Sequence, residues 1–302
     1  MSAKGSANTP AKVLVIGRTG QLARELAVAP GGREMALEFI GRETLDLSQP
    51  GDAAEAVRRR GPDLVLLAAA YTAVDKAEAD EATARRVNAE APGAVARACA
   101  ELGAPLVHVS TDYVFDGSKA SPYVETDPIA PLGAYGRTKA EGEALVAASG
   151  ARAAILRTSW VYSPFGANFV KTMLRLAESR DEVGVVADQL GRPTAAADLA
   201  EAVLAMGGRL LADDAAAQGV FHYAGEGEAS WADFAEAVFD ASARRGGPRP
   251  RVRPITTTEF PTPARRPVNS RLDTAKIEGL GVRPRPWREA LETCLDRLGV
   301  EA

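Results

Sequence analysis

Short unbroken apolar runs punctuate the first half of the chain, and stretches with helical spacing separate them. Val13-Leu14-Val15-Ile16 is the first run, and the helical stretch Leu22 to Val28 follows it after a glycine turn. Ala36 to Ile40, Asp63 to Ala68, Leu106 to Val109 and Ala153 to Leu156 follow as further strands, apolar apart from Glu38, Asp63 and His108. Unbroken rather than alternating apolar runs predict strands covered on both faces of a sheet. The segments Glu81 to Leu102 and Ala134 to Ala148 predict helices. Strand and helix in alternation predict an α/β fold, a doubly wound parallel sheet with right-handed crossovers.

After Trp160 this alternation weakens. Ala167 to Ser179 and Ala195 to Gly207 predict helices, and Val220 to Ala224 a short strand. Ser230 precedes Trp231-Ala232-Asp233 as the N-cap of another helix. Gly246 to Pro267, rich in proline and arginine, predicts a loop. Three parts follow: a disordered extension over residues 1–10, a nucleotide-binding part over 11–160 to which parts of the later chain return, and a smaller substrate-binding part over 161–302.

Composition narrows the function classes. The chain has 302 residues, 46% of them apolar, and a net charge of −4, so no basic field argues for nucleic acid. The clusters Arg58-Arg59-Arg60 and Arg244-Arg245 read as solvated helix ends. Two isolated cysteines, Cys99 and Cys294, argue against a disulfide framework or zinc site, and only His108 and His222 are available for a histidine-based metal site. No metal is expected. The first ten residues lack the apolar core of a signal peptide, and no apolar run approaches the ~20 residues that span a bilayer. The expectation is a cytoplasmic protein with no membrane partner.

The candidate chemistry gathers at predicted strand ends. Gly17-Arg18-Thr19-Gly20-Gln21-Leu22-Ala23 stands between the first strand and its helix, the context a dinucleotide fingerprint requires and the mark of a Rossmann-type sheet. Gly17 permits the turn, Gly20 lets backbone approach a pyrophosphate, and Ala23 stands where a third glycine would be. Arg42 follows the second strand, where an acidic residue would select NAD and an arginine suits the 2′-phosphate of NADP. Ala69-Ala70-Tyr71 leaves ligand room after the third strand, and Ser110-Thr111-Asp112 caps the fourth. Tyr135 and Lys139 lie four apart on one helix face. The plain reading of that spacing is a surface pair. With Thr111 and the glycine turn at the same edge, it becomes a tyrosine tuned by a cation to hand a proton to an alkoxide.

Longer stretches carry a resemblance. Besides the glycine turn and Tyr135-xxx-Lys139, they are Ala69 to Glu78, Ser110 to Phe115, Arg157 to Tyr162, Asn168-Phe169, Lys171 to Leu174, Asp188 to Thr194 and Pro261 to Pro267. Together these stretches, spread from Val13 to Leu298, resemble the dTDP-4-dehydrorhamnose reductase family of extended short-chain dehydrogenases/reductases. Ala23 departs from the family's usual glycine, and Tyr71 stands where another residue can occur.

The resemblance implies reduction of the C4 keto group of dTDP-4-dehydro-β-L-rhamnose, with NADPH as cofactor and NADH possible. It makes Tyr135 the proton donor, Lys139 the residue that acidifies it and holds the nicotinamide ribose, and Thr111 the residue that orients the carbonyl. Gly17, Thr19, Gly20, Gln21, Leu22, Arg42, Asp46, Leu47, Ala69, Ala70 and Tyr71 fall on the cofactor side. Asp112, Trp160 and Asn168 fall on the sugar side. Arg265 or Arg266 is a candidate for the substrate diphosphate, because arginine suits bidentate phosphate binding. The alternatives are a reductase of another dTDP-4-keto-6-deoxysugar, or a non-catalytic regulatory subunit of methionine adenosyltransferase on the same fold. A monomer or homodimer fits either.

Overall fold

The computed structural model describes residues 10–299, so the expected extension lies outside the described residues apart from Pro10. The elements run β1 (Ala11–Ile16), α1 (Gln21–Leu26), β2 (Met35–Ile40), α2 (Pro50–Arg60), β3 (Leu64–Leu67), α3 (Val74–Ala79), α4 (Glu81–Arg85), a π-helical turn (Arg86–Glu90), α5 (Ala91–Leu102) and β4 (Leu106–Thr111). Then come α6 (Ala134–Ala147), β5 (Ala153–Thr158), β6 (Val161–Tyr162), α7 (Phe169–Ala177), β7 (Glu182–Val186), β8 (Leu190–Gly191), β9 (Thr194–Ala195) and α8 (Ala196–Leu211). The chain finishes with β10 (Gly219–His222), β11 (Ala229–Ser230), α9 (Trp231–Ala243), β12 (Arg251–Ile255), α10 (Ala275–Glu278) and α11 (Trp287–Arg297).

The main sheet has six strands in the order β10-β5-β4-β3-β1-β2, and every pairing in it is parallel. The order reverses at β1, which has β2 on one side and β3 on the other. Ligands of such sheets bind outside the carboxyl ends of the strands near that reversal. The unbroken apolar runs are explained by two buried faces. Leu14, Ile16, Val65 and Leu67 pack into one core with residues of α2 and α5, while Val13, Val15, Leu64 and Leu66 pack into another with residues of α1 and α8. β10 and α8 come from the second half of the chain and complete the sheet.

Local chemistry accounts for the helix ends. α2 has Pro50 in its first turn, Arg58 to Arg60 in its last, and Gly61 at φ 51° as its C-cap. Ser230 and Asp233 form a reciprocal capping box at α9, as the Ser230 reading expects. A third core, with Tyr162, Phe234, Phe239, Trp287 and Leu291, unites α7, α9 and α11.

The helical stretch from Glu81 to Leu102 is helical throughout, with one π turn inside it. Two expectations are corrected. The predicted loop from Gly246 to Pro267 contains β12, which pairs in parallel with β7. Arg245 is no solvated end: its side chain is 13% exposed and contacts Glu292 and Asp296.

Candidate active site

β4 runs on to Thr111, so Ser110 and Thr111 belong to the strand rather than capping it. Thr111 pairs in register with Thr158 of β5 and is buried. Its hydroxyl donates to Asp112 Oδ1 at 3.0 Å and accepts from the Tyr113 N–H at 3.2 Å. Tyr135, in the first turn of α6, sets its ring edge-on to Tyr113 with centroids 5.5 Å apart. Burial raises the Tyr135 pKa above its ordinary value. The neighbouring Thr111 hydroxyl works against that rise, and Asp112 and Tyr113 add to it.

Lys139 is 1% exposed. Its ammonium donates to the Val109 carbonyl oxygen at 2.7 Å and lies 3.4 Å from His108 Nε2. Burial lowers its pKa to about 8, opposed by Glu143 one turn further along α6. His108 beneath it is held well below the usual imidazole range, first by burial and then by the Lys139 charge, and is therefore neutral. Glu143 is itself paired with Arg157 of β5 at 2.7 Å, both side chains almost wholly enclosed. The Lys139 ammonium is engaged with the β4 backbone, and the Thr111 hydroxyl supplies the lowering pull on the Tyr135 phenol.

On the cofactor side, Gly17 has φ 136°, and a Cβ there would come within 3.3 Å of the Ala69 amide nitrogen. Only glycine permits this turn and the close pass between the ends of β1 and β3. Thr19 and Gly20 are exposed, while the Leu22 side chain is buried in the core, so Leu22 can offer a ligand only backbone. Arg42 is exposed beyond β2 and forms no ion pair among the described residues. An acid does stand there: Glu43, which binds Arg18 at 2.8 Å. Asp46 is partly exposed between buried Leu45 and Leu47. Ala69 and Ala70 are partly buried, and Tyr71 packs with Tyr135 around Ala77, Ala84 and Ala134.

On the opposite side, Asp112 is 3% exposed with Oδ2 unpartnered, and burial raises its pKa to about 6. Trp160 stacks on Trp231 with centroids 3.5 Å apart. Asn168 caps α7 and donates to Gln21 Oε1 at 2.9 Å, joining the C-terminal half to the glycine turn. The two arginines part company. Arg266 is bound to Asp75 of α3 at 2.8 Å, while Arg265 is exposed. Among the described residues no cluster of His, Cys, Asp or Glu could hold a metal, and no helix is long and apolar enough to cross a membrane.

The family model for the RmlD substrate binding domain matches residues 11–300. The chain is 47% identical over 281 residues to the dTDP-4-dehydrorhamnose reductase of Sinorhizobium fredii (strain NBRC 101917 / NGR234), covering 92% of this chain and 95% of that one. The chain belongs to the dTDP-4-dehydrorhamnose reductase family. A crystal structure of such a reductase from Clostridium acetobutylicum superposes with TM-score 0.88 at 38% identity, covering 95% of this chain and 99% of that one. Another, from Bacillus anthracis str. Ames in complex with NADP, superposes with TM-score 0.87 at 34% identity, covering 96% and 100%.

In this reductase-family chain one buried residue escaped the sequence reading. Asn88, 1% exposed in the π turn, accepts from the Tyr71 N–H at 2.8 Å. It donates to the Tyr71 carbonyl at 3.1 Å and to the Thr138 hydroxyl at 3.3 Å. It thereby ties the segment after β3 to the turn of α6 that carries Tyr135 and Lys139. A Cβ at Gly142 would lie 2.1 Å from the Asn88 carbonyl oxygen, so glycine lets α6 approach the π turn. The sole sequence signal is one amide inside a helical stretch.

Proposed function

We propose that this chain reduces the C4 keto group of dTDP-4-dehydro-β-L-rhamnose to give dTDP-β-L-rhamnose, with NADPH as the preferred reductant and NADH as a poorer one. The observation that carries the reading is Thr111 and Tyr135 side by side at the carboxyl edge of β4, above a wholly buried Lys139. The residues present fit a dinucleotide: the Gly17 turn passes close to Ala69, and exposed Arg42 offers a cation for a 2′-phosphate. The reduced nicotinamide, when bound, supplies hydride to C4.

The protein's own part is position and proton. Thr111 holds the carbonyl oxygen and Tyr135 protonates it. A phenol raised by burial stays protonated throughout the neutral range, so it is loaded as a donor. Lys139 would hold the nicotinamide ribose, the glycine turn and Ala69 to Tyr71 the rest of the cofactor, and Asp112, Trp160 and Asn168 the sugar side. We assign residues 11–160 mainly to the cofactor and 161–302 mainly to the nucleotide sugar. Arg265, free of the tie that occupies Arg266, is the better candidate for the diphosphate.

The test is turnover of the 4-keto-6-deoxysugar nucleotide with NADPH, followed by identification of the product sugar. A product epimeric at C4, or no turnover of any dTDP-4-keto-6-deoxysugar, overturns the reading.

A further inference from the structure

Trp160 has φ 49°, in the left-handed region that bulky side chains rarely enter. Such strain persists only where surrounding structure over-determines it, and it gathers at functional sites. Three contacts hold it. The indole stacks almost parallel on Trp231, with 3.5 Å between centroids and 11° between planes. Gly191 lies against its fused ring atoms, where a Cβ would come within 2.3 Å of Trp160 Cε2. The Trp160 carbonyl accepts from the Thr194 N–H at 3.2 Å.

These contacts belong to one local unit. β8 and β11 pair antiparallel with Gly191 opposite Ala229 and Leu190 opposite Ser230. Trp231 is the next residue and opens α9, whose start the Ser230–Asp233 capping box fixes. Behind Trp231 stands Phe169, with centroids 4.7 Å apart, next to Asn168. Neither indole is fully buried; both pack at the margin of the C-terminal core. Trp160 follows Thr158 by two residues, and Thr158 is the register partner of Thr111. The strained residue thus stands where the chain leaves the main sheet, beside the reacting edge.

We propose that Trp231, seated by the ribbon that carries Gly191, is a positioning residue: it fixes the Trp160 indole as a wall of the hexose pocket and so sets which 4-keto sugars are accepted. The proposal rests on the function given above. A tryptophan meant only to fill a core needs no left-handed backbone. The left-handed residue turns the chain sharply, and the stack then leaves the ring one orientation.

The test compares Trp231→Leu with Trp231→Phe. Trp231→Leu should raise KM for the sugar nucleotide about tenfold, leave kcat within about threefold and leave the NADPH Kd unchanged, while Trp231→Phe restores KM to within about threefold. KM within about twofold of wild type in Trp231→Leu overturns the proposal. A second measurement needs no variant. A sugar packed on an indole face perturbs the tryptophan near-ultraviolet circular dichroism band, which dTDP-L-rhamnose should alter at saturation and dTDP alone should not. An unchanged band with bound dTDP-L-rhamnose, or equal changes with both ligands, overturns it as well. If the wild type turns over no dTDP-4-keto-6-deoxysugar, the functional reading fails; if it does and Trp231→Leu is indifferent, only this inference fails.

Discussion

Lys139 donates to the Val109 carbonyl oxygen at 2.7 Å, a contact that holds its ammonium against β4. Two titrations therefore separate. Burial brings Lys139 down to about 8, while Tyr135 is raised above its ordinary value. The charged lysine is present below that pH and lost above it, so kcat/KM should fall on an alkaline limb belonging to Lys139. Lys139→Arg, which keeps its charge, should move the limb upward by about a unit or more. A limb that stays in place in pH–rate profiles of the variant assigns it to another group. Tyr135→Phe should lower kcat by ~10²-fold with NADPH affinity nearly intact.

Asp112 offers a stability test with a defined sign. Burial pushes its carboxyl up to about 6 in the fold from an ordinary value of 3.8. The folded state thus binds the proton more tightly. The stabilisation is complete below the lower of these values and is lost as pH rises through the upper one. Asp112→Asn cannot titrate. Its unfolding free energy relative to wild type should climb across that window by on the order of 2–3 kcal/mol. Denaturant unfolding of both proteins at several pH values checks this, and a flat difference refutes it.

Arg42 stands free beyond β2, while its neighbour Glu43 is engaged with Arg18. Arg42→Ala should weaken NADPH by about tenfold or more, a charge-assisted contact being worth about 1.5–3 kcal/mol. NADH should be almost unaffected, because it has no 2′-phosphate. Parallel titrations decide; equal losses would show that Arg42 reads no phosphate.

Arg265 and Arg266 should fail differently. Arg266→Ala removes the tie to Asp75, which also receives the Ala264 N–H at 3.1 Å, so the loop loses its anchor to α3. Asp75→Asn should reproduce its loss of thermal stability, and the double variant should add little. Arg265→Ala should instead raise KM for the sugar nucleotide several-fold at unchanged melting temperature. If Arg265→Ala leaves KM alone, the diphosphate is held elsewhere.

The inner strands of the sheet were legible in the sequence because they are buried on both faces, and such burial demands unbroken apolar runs like Val13 to Ile16. The glycine turn was legible because Gly17 adopts a backbone conformation that few other residues tolerate. The Ser230 cap was legible because capping is a contact between near neighbours. What only the tertiary structure decided depends on partners far away in the chain. β12, with exposed Arg251 and Arg253 and with Pro254, looks like a loop until β7 supplies its hydrogen bonds. Helical spacing alone does not show that the β4 carbonyl holds the Lys139 ammonium. Arg265 and Arg266 are equivalent as letters and were separated by Asp75, nearly two hundred positions away. Trp160 gives no sign of its left-handed backbone, because the Trp231 stack and the bare Gly191 that hold it come from other segments.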